Sequence, residues 1–184
     1  MNRKLFLMEL FGIGAVAFCA FPMRRLHQWD PGGLLGILFG AVNSSPWEYG
    51  KTLLMPALVW GVIEVLTLRL SVHRFTVAKT ASLYLLGAGY LLLRSLGVGE
   101  PAAATVMLAA SVLLTMALYG AEVPLKWAFA PAIVLLFLFT ALYFSLTPFP
   151  PHHPLFRDSA TGMYGIIPPQ YDYGASALDA LYLR

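Results

Sequence analysis

The chain has 184 residues, of which 59% are hydrophobic and only 11% are charged, and its mean hydropathy is +0.71. A soluble domain carries about 25% charged residues, so this composition excludes an ordinary water-soluble fold and indicates a protein that uses the lipid bilayer as its solvent. The net charge of +3 comes from scattered residues and not from a Lys/Arg-rich patch, so we predict no nucleic-acid partner.

The first apolar segment follows a basic start, Arg3-Lys4, and is predicted to end at Arg24-Arg25. No small-residue cleavage site follows it, so we predict a retained first span and not a removed signal peptide. It contains the single cysteine, Cys19, which excludes a disulfide within the chain.

Four further apolar segments are long enough to cross a bilayer as helices. Short connections force neighbouring helices to run antiparallel, and backbone groups in lipid must be hydrogen-bonded within the protein. We therefore predict an all-α polytopic membrane protein, an antiparallel bundle of five transmembrane helices with a long first loop and an irregular, proline-rich C-terminal tail. The transmembrane domain is predicted to cover residues 1–151 and the extramembrane tail residues 152–184, with spans at about 5–23, 47–70, 75–95, 101–121 and 126–147.

The distribution of Lys and Arg is balanced, because a cytoplasmic N-terminus puts six basic residues inside and six outside. Short loops close to the spans decide orientation, and Arg184 lies far from any span. We therefore predict a multi-pass protein of the cell membrane with a cytoplasmic N-terminus and an extracytoplasmic tail. In either orientation the first loop and the tail share one side, because four spans separate them.

These two segments hold most of the unusual chemistry. The first loop, residues 26–50, contains an apolar stretch at 33–42 that is too short to cross the bilayer and is predicted to be interfacial or re-entrant. Prolines block regular helix over most of the tail, although residues 176–183 could form a short amphipathic helix. The prolines concerned are Pro148, Pro150, Pro151, Pro154, Pro168 and Pro169.

The start of the second span carries a polar motif. Ser45 and Glu48 have the spacing of a capping box, and Pro46 falls at the first helical position. Glu48 and Lys51 are i, i+3 neighbours that can form an ion pair, and Trp47 is typical of a membrane-interface belt. The alternative, functional interpretation makes Glu48 a ligand or a general base.

Glu64 is predicted to lie well inside the hydrocarbon, because it follows Lys51 by about 20 Å along a helix. An intramembrane carboxyl group is a candidate functional site. The alternative is a neutral acid that is hydrogen-bonded to a Ser, Thr or Tyr on another helix. Glu9 is also an acid within a predicted span, but it lies near the end of that span. Snorkelling of its side chain or a partner such as Lys4 could satisfy its carboxyl group.

His152, His153 and Asp158 in the tail could in principle bind a metal ion, but no ligand pattern of a known metal site supports this. We predict instead that Asp158 begins a turn closed at Gly162 and that the histidines lie near lipid headgroups. No histidine falls in the middle of a span, which argues against haem. We predict no metal and no cofactor.

At these two segments the sequence resembles a bacterial family of small five-span membrane proteins of unknown function. The family pattern is Asn-Glu-Ser-x-Trp-Glu-His-x-Lys at the second span and Pro-Pro-His-x-Pro-Leu-Phe-x-Asp-Pro-x-Thr-Gly-x-Tyr-Gly after the fifth. Where the family has Glu and His, this chain has Ser44 and Tyr49, so the resemblance does not imply a mechanism that needs that acid or imidazole. The residues that match are Asn43, Ser45, Trp47, Glu48, Lys51, Pro150, Pro151, His152, Pro154, Leu155, Phe156, Asp158, Thr161, Gly162, Tyr164 and Gly165.

Three functions remain open on the sequence. The first, which we favour, is a non-catalytic accessory or assembly subunit of a membrane complex, with a polar cap formed by the first loop and the tail. Its partners are the lipid bilayer and other membrane subunits. The second is a membrane-embedded enzyme or a binder of lipids or small solutes, with Glu48, His152 and Asp158 as candidate catalytic groups and Lys51 beside them. The third is a transporter or channel that uses Glu64. Candidate binding and interface residues are Asn43, Ser45, Trp47, Lys51, Glu64, Phe156, Tyr164, Tyr171 and Tyr173.

Overall fold

The computed structural model describes residues 3–30, 33–121 and 126–167 of the chain. These residues form an all-helical fold, as predicted, and five of the helices are long and apolar enough to cross a membrane. The helices are α1 (Arg3–Trp29), α2 (Leu34–Phe39), α3 (Pro46–Leu68), α4 (Val72–Ser95), α5 (Glu100–Gly120) and α6 (Lys126–Ser145), followed by a 3-10 turn at Pro154–Phe156. The predicted residues Tyr171 and Tyr173 and the predicted helix at 176–183 lie outside the described residues.

The bundle is built from four helices in a ring. α1 contacts α3 and α5, α4 contacts the same two helices, and α6 packs mainly against α4. The core that they share contains large buried side chains, among them Tyr90 and Tyr143, which are each 1% exposed. Outward-facing side chains such as Phe18 and Phe137 are apolar and exposed, which is the surface that a lipid-embedded helix requires.

α1 continues beyond Arg24-Arg25, the predicted end of the first span, and ends at Trp29. Arg24 forms an ion pair with Glu100 at the start of α5, and His27 is buried, with its Nε2 atom 3.3 Å from the carbonyl oxygen of Ile167 in the tail. Basic residues therefore stay in the helix here because distant parts of the chain provide their partners. The apolar stretch at 33–42 contains α2, a helix of six residues.

Candidate functional site

The start of α3 is built as the sequence predicts, with one difference. Ser45 is the N-cap and its Oγ accepts a hydrogen bond from the Glu48 N–H at 3.3 Å, with Pro46 at the first helical position. The reciprocal half of the capping box is absent, since the Ser45 N–H donates to Asn43 Oδ1 at 2.9 Å. The carboxylate of Glu48 is therefore free to turn inward, where it accepts from the Val42 N–H at 3.2 Å.

Glu48 and Lys51 form the predicted ion pair, but in the protein interior. Lys51 Nζ lies 2.8 Å from Glu48 Oε2, and the two residues are 0% and 2% exposed, respectively. Lys51 also donates to Thr147 Oγ1 at 2.8 Å and to the Ile37 carbonyl oxygen at 3.2 Å. Thr147 in turn donates to Glu48 Oε1 at 2.8 Å. The three donors of the ammonium group and both carboxylate oxygens therefore have partners, as buried charges require.

Asp158 joins the tail to the first loop through hydrogen bonds to both oxygens of its carboxylate. Its Oδ1 accepts from the Ser44 N–H at 2.8 Å and from the Ser44 hydroxyl, and its Oδ2 accepts from the N–H and hydroxyl of Thr161, both at 2.6 Å. Burial disfavours the charged form of Asp158 and so raises its pKa. The hydrogen bonds from Ser44 and Thr161 stabilise the carboxylate more strongly, and together they hold the pKa of Asp158 below its ordinary value. The predicted turn is present, because the Gly162 N–H donates to the Asp158 carbonyl oxygen at 3.0 Å.

We call first-loop residues 40–45 together with tail residues 147–167 the cap. Further contacts within this region hold the first loop and the tail together. Asn43 Nδ2 donates to the Gly165 carbonyl oxygen at 2.7 Å, and the rings of Trp47 and Phe156 lie 5.4 Å apart. His152 is exposed and packs on Tyr164, with ring centroids 4.9 Å apart. The structure thus brings most of the predicted site residues into one region, with Glu48, Lys51 and Asp158 buried and His152 on the outside.

Glu64 belongs to a second polar cluster at the opposite end of α3. Lys79 Nζ on α4 lies 2.8 Å from Glu64 Oε2 and 2.9 Å from Glu9 Oε1 on α1. We call these three residues the triad. Glu64 is 0% exposed, and its Oε1 atom has no hydrogen-bond partner among the described residues. The triad ties three helices together.

Of the alternatives that the sequence left open for Glu9 and Glu64, the structure shows an ion pair for both. The partner of Glu9 is Lys79 and not Lys4, and the partner of Glu64 is an ammonium group and not a hydroxyl. Glu64 does lie about 20 Å along α3 from Lys51, but α3 ends at Leu68, so Glu64 is only about 6 Å from the far end of the helix. Its burial within the protein comes from neighbouring helices, α1 and α4 among them.

Sequence reasoning missed three residues that complete these clusters: Lys79, Thr147 and Ser44. A signal existed for Lys79, because it is the only charge in an apolar window and a buried acid elsewhere needs a cation. Thr147 and Ser44 gave no local signal. In the part of the chain that is described, no group of three His, Cys, Asp or Glu side chains could hold a metal ion, and the absence of a metal stays a prediction.

Comparison with known proteins gives one match. The model of DUF6512, a family of unknown function, matches residues 8–166, which include all five apolar helices in whole or large part and nearly all of the cap. No curated protein and no solved structure matches the chain. The match covers most of the sequence and agrees with the predicted membership of a family of unknown function. The chain therefore belongs to DUF6512.

Proposed function

We propose that this protein is a non-catalytic component of a cell-membrane complex, an accessory or assembly subunit, in which the cap is a structural clasp. The observation that supports this is the state of the candidate catalytic groups. Glu48, Lys51 and Asp158 are buried, and their hydrogen-bonding capacity is used within the protein. A general base must be within hydrogen-bond reach of a substrate proton, and these groups are already occupied.

The stability of substituted proteins separates a clasp from an active site. Catalytic groups are commonly held at a cost to stability, so their replacement leaves the fold unchanged or more stable, whereas replacement of a buried structural group weakens it. We expect Glu48→Gln and Asp158→Asn to lower the melting temperature of the protein in mild detergent. His152→Ala, at an exposed position, is the control and should change it little. A rise in melting temperature for Glu48→Gln would favour the enzyme hypothesis.

The subunit role itself requires a partner. We expect native gel electrophoresis and chemical crosslinking in isolated membranes to show a complex larger than the monomer. Removal of residues 168–184, which include the candidate interface residues Tyr171 and Tyr173, should shift the protein toward the monomer while the five-helix fold is kept. A protein that runs as a lone monomer before and after this deletion would contradict the proposal.

A second candidate function is proton-coupled transport, and the triad favours it. Two carboxyl groups face one ammonium group in a buried setting, and a net charge there is costly, so a bound proton would balance the cluster. The test is proton uptake into proteoliposomes that contain the purified protein and a pH-sensitive dye. Uptake that disappears in Glu64→Gln but persists in Glu48→Gln would support transport, and the absence of uptake by the unaltered protein would count against it.

A further inference from the structure

Beside the cap lies a polar recess of about 530 Å³, lined by residues of the cap, α3 and α4. Two arginines from distant parts of the chain reach it: Arg94 from the last turn of α4 and Arg157 from the tail. The other polar side chains that line it include Ser44, Asp158, Ser159 and Thr161. A recess of this size can hold a phosphate with part of the group to which it is attached.

Both guanidinium groups have donors to spare. Arg94 Nη1 donates to the Val98 carbonyl oxygen at 2.7 Å, while its Nε is buried without a partner among the described residues. Arg157 Nε donates to the Gly162 carbonyl oxygen at 3.0 Å. Neither group is within ion-pair distance of a carboxylate in the described ranges, although each carries five N–H donors.

Asp158 is the one acid in the lining, and it repels a bound anion less strongly than its charge suggests. Both oxygens of Asp158 accept hydrogen bonds from Ser44 and Thr161, so its lone pairs are turned toward its own turn and away from use by a ligand. The hydroxyls of Ser44, Ser159 and Thr161 are used within the cap, so the side-chain donors that remain available in the recess belong to the two arginines. Planar guanidinium groups bind phosphate oxygens in a bidentate manner.

We propose that this recess binds a phosphate that carries net negative charge, the headgroup of an anionic lipid. The position favours a lipid over a free ion, because the recess lies where α3 begins and α4 ends, and the ends of spanning helices meet the headgroup region. A lipid held there would contact α4 and the tail together. The site is independent of whether the cap serves a subunit or an enzyme.

The test uses the full chain in neutral phosphatidylcholine nanodiscs that contain a small fraction of phosphatidylglycerol. Native mass spectrometry then measures which lipid stays bound after detergent release. We expect the unaltered protein to retain phosphatidylglycerol over phosphatidylcholine, and Arg94→Gln or Arg157→Gln each to weaken this retention roughly tenfold. Arg69→Gln, an exposed arginine at the far end of α3, is the charge-matched control and should retain the lipid.

Added inorganic phosphate distinguishes the two sources of the anion. If phosphate raises the melting temperature of the unaltered protein more than chloride at equal ionic strength, with no preference among lipids, the site binds free phosphate, and Arg94→Gln should abolish the effect. Arg94→Lys and Arg157→Lys keep the charge and should give intermediate binding, which separates loss of the site from loss of the fold. Lipid preference that is unchanged in both Gln variants, or the absence of any response to either anion, would overturn the proposal.

Discussion

At the scale of single residues, the strongest feature is a lysine with no exposed surface. Lys51 is 0% exposed, and its ammonium group depends on Glu48, Thr147 and the Ile37 carbonyl oxygen. A buried pair of charges contributes little when compared with apolar side chains of the same size, but removal of one partner leaves the other charge uncompensated.

Lys51→Met should therefore lower the free energy of unfolding by about 3–5 kcal/mol, because it leaves the Glu48 carboxylate buried without its cation. The measurement is equilibrium denaturation in detergent micelles. The double variant Glu48→Gln/Lys51→Met removes both charges and should recover part of the loss. If the double variant is less stable than Lys51→Met, the two residues do not act as an ion pair.

Asp158 predicts how the stability of the cap depends on pH. Its pKa is lower in the folded protein than in the unfolded chain, since hydrogen bonds from Ser44 and Thr161 stabilise the carboxylate. The stabilisation is therefore complete above the unfolded pKa and is lost as the pH falls through the folded pKa. We expect the melting temperature to fall with acidification in this range and the fall to be smaller in Asp158→Asn. Asp30→Asn, at an exposed position, should keep the full pH dependence.

Local pairs were predictable from sequence and distant ones were not. The Glu48–Lys51 pair follows from i, i+3 spacing, and the Asp158–Gly162 turn follows from the preferences of aspartate and glycine. The interior position of Lys51 includes a contact with Thr147, which is 96 residues away. No pattern within one helix contains that information.

At the scale of elements, hydropathy predicted the existence of all five long helices and most of their ends to within a few residues. It failed at the end of α1, where Arg24 and His27 are polar but have partners at Glu100 and Ile167. The packing of α3 on α4 also depends on a detail that hydropathy cannot detect. Gly61 leaves space for the aliphatic chain of Lys79, and a Cβ atom at Gly61 would lie 3.0 Å from both Cγ and Cε of that lysine.

Gly61→Val should consequently push the Lys79 side chain away from Glu64 and lower the stability by about 1–3 kcal/mol through overpacking. Thermal unfolding in detergent measures this loss. Gly14→Val in α1 is the control, because a Cβ atom at that position has no neighbour within 4 Å. Equal melting temperatures for the two variants would show that Lys79 can move without cost, and the triad would then not stabilise the bundle.

At the scale of the whole molecule, the fold has two polar clusters joined by α3, the cap network at its start and the triad near its end. The network of the cap holds the first loop and the tail together on one side of the bundle, and we expect that side to be extracytoplasmic. The count of basic residues leaves this orientation balanced, and burial of Lys51 and Lys79 in ion pairs does not change the balance, because it removes one flanking charge from each side.

Cysteine labelling in intact cells tests the orientation. Cys19→Ala removes the single native thiol, and Ser159→Cys then places one thiol at an exposed position of the cap. We expect a membrane-impermeant maleimide to label this cysteine without cell lysis. Leu66→Cys, near the opposite end of α3, should be protected. Labelling of the cap cysteine only after lysis would reverse the proposed orientation.

The contact between Thr147 and the Glu48–Lys51 pair also sets an order of events during synthesis. The pair is made 96 residues before Thr147, a delay on the order of 5–20 s at typical translation rates. During that interval α3 can be in the membrane while its two charged side chains still lack their threonine partner. We therefore expect burial of Lys51 to be a late step of biogenesis, completed only when α6 has crossed the bilayer and the tail has returned to the first loop.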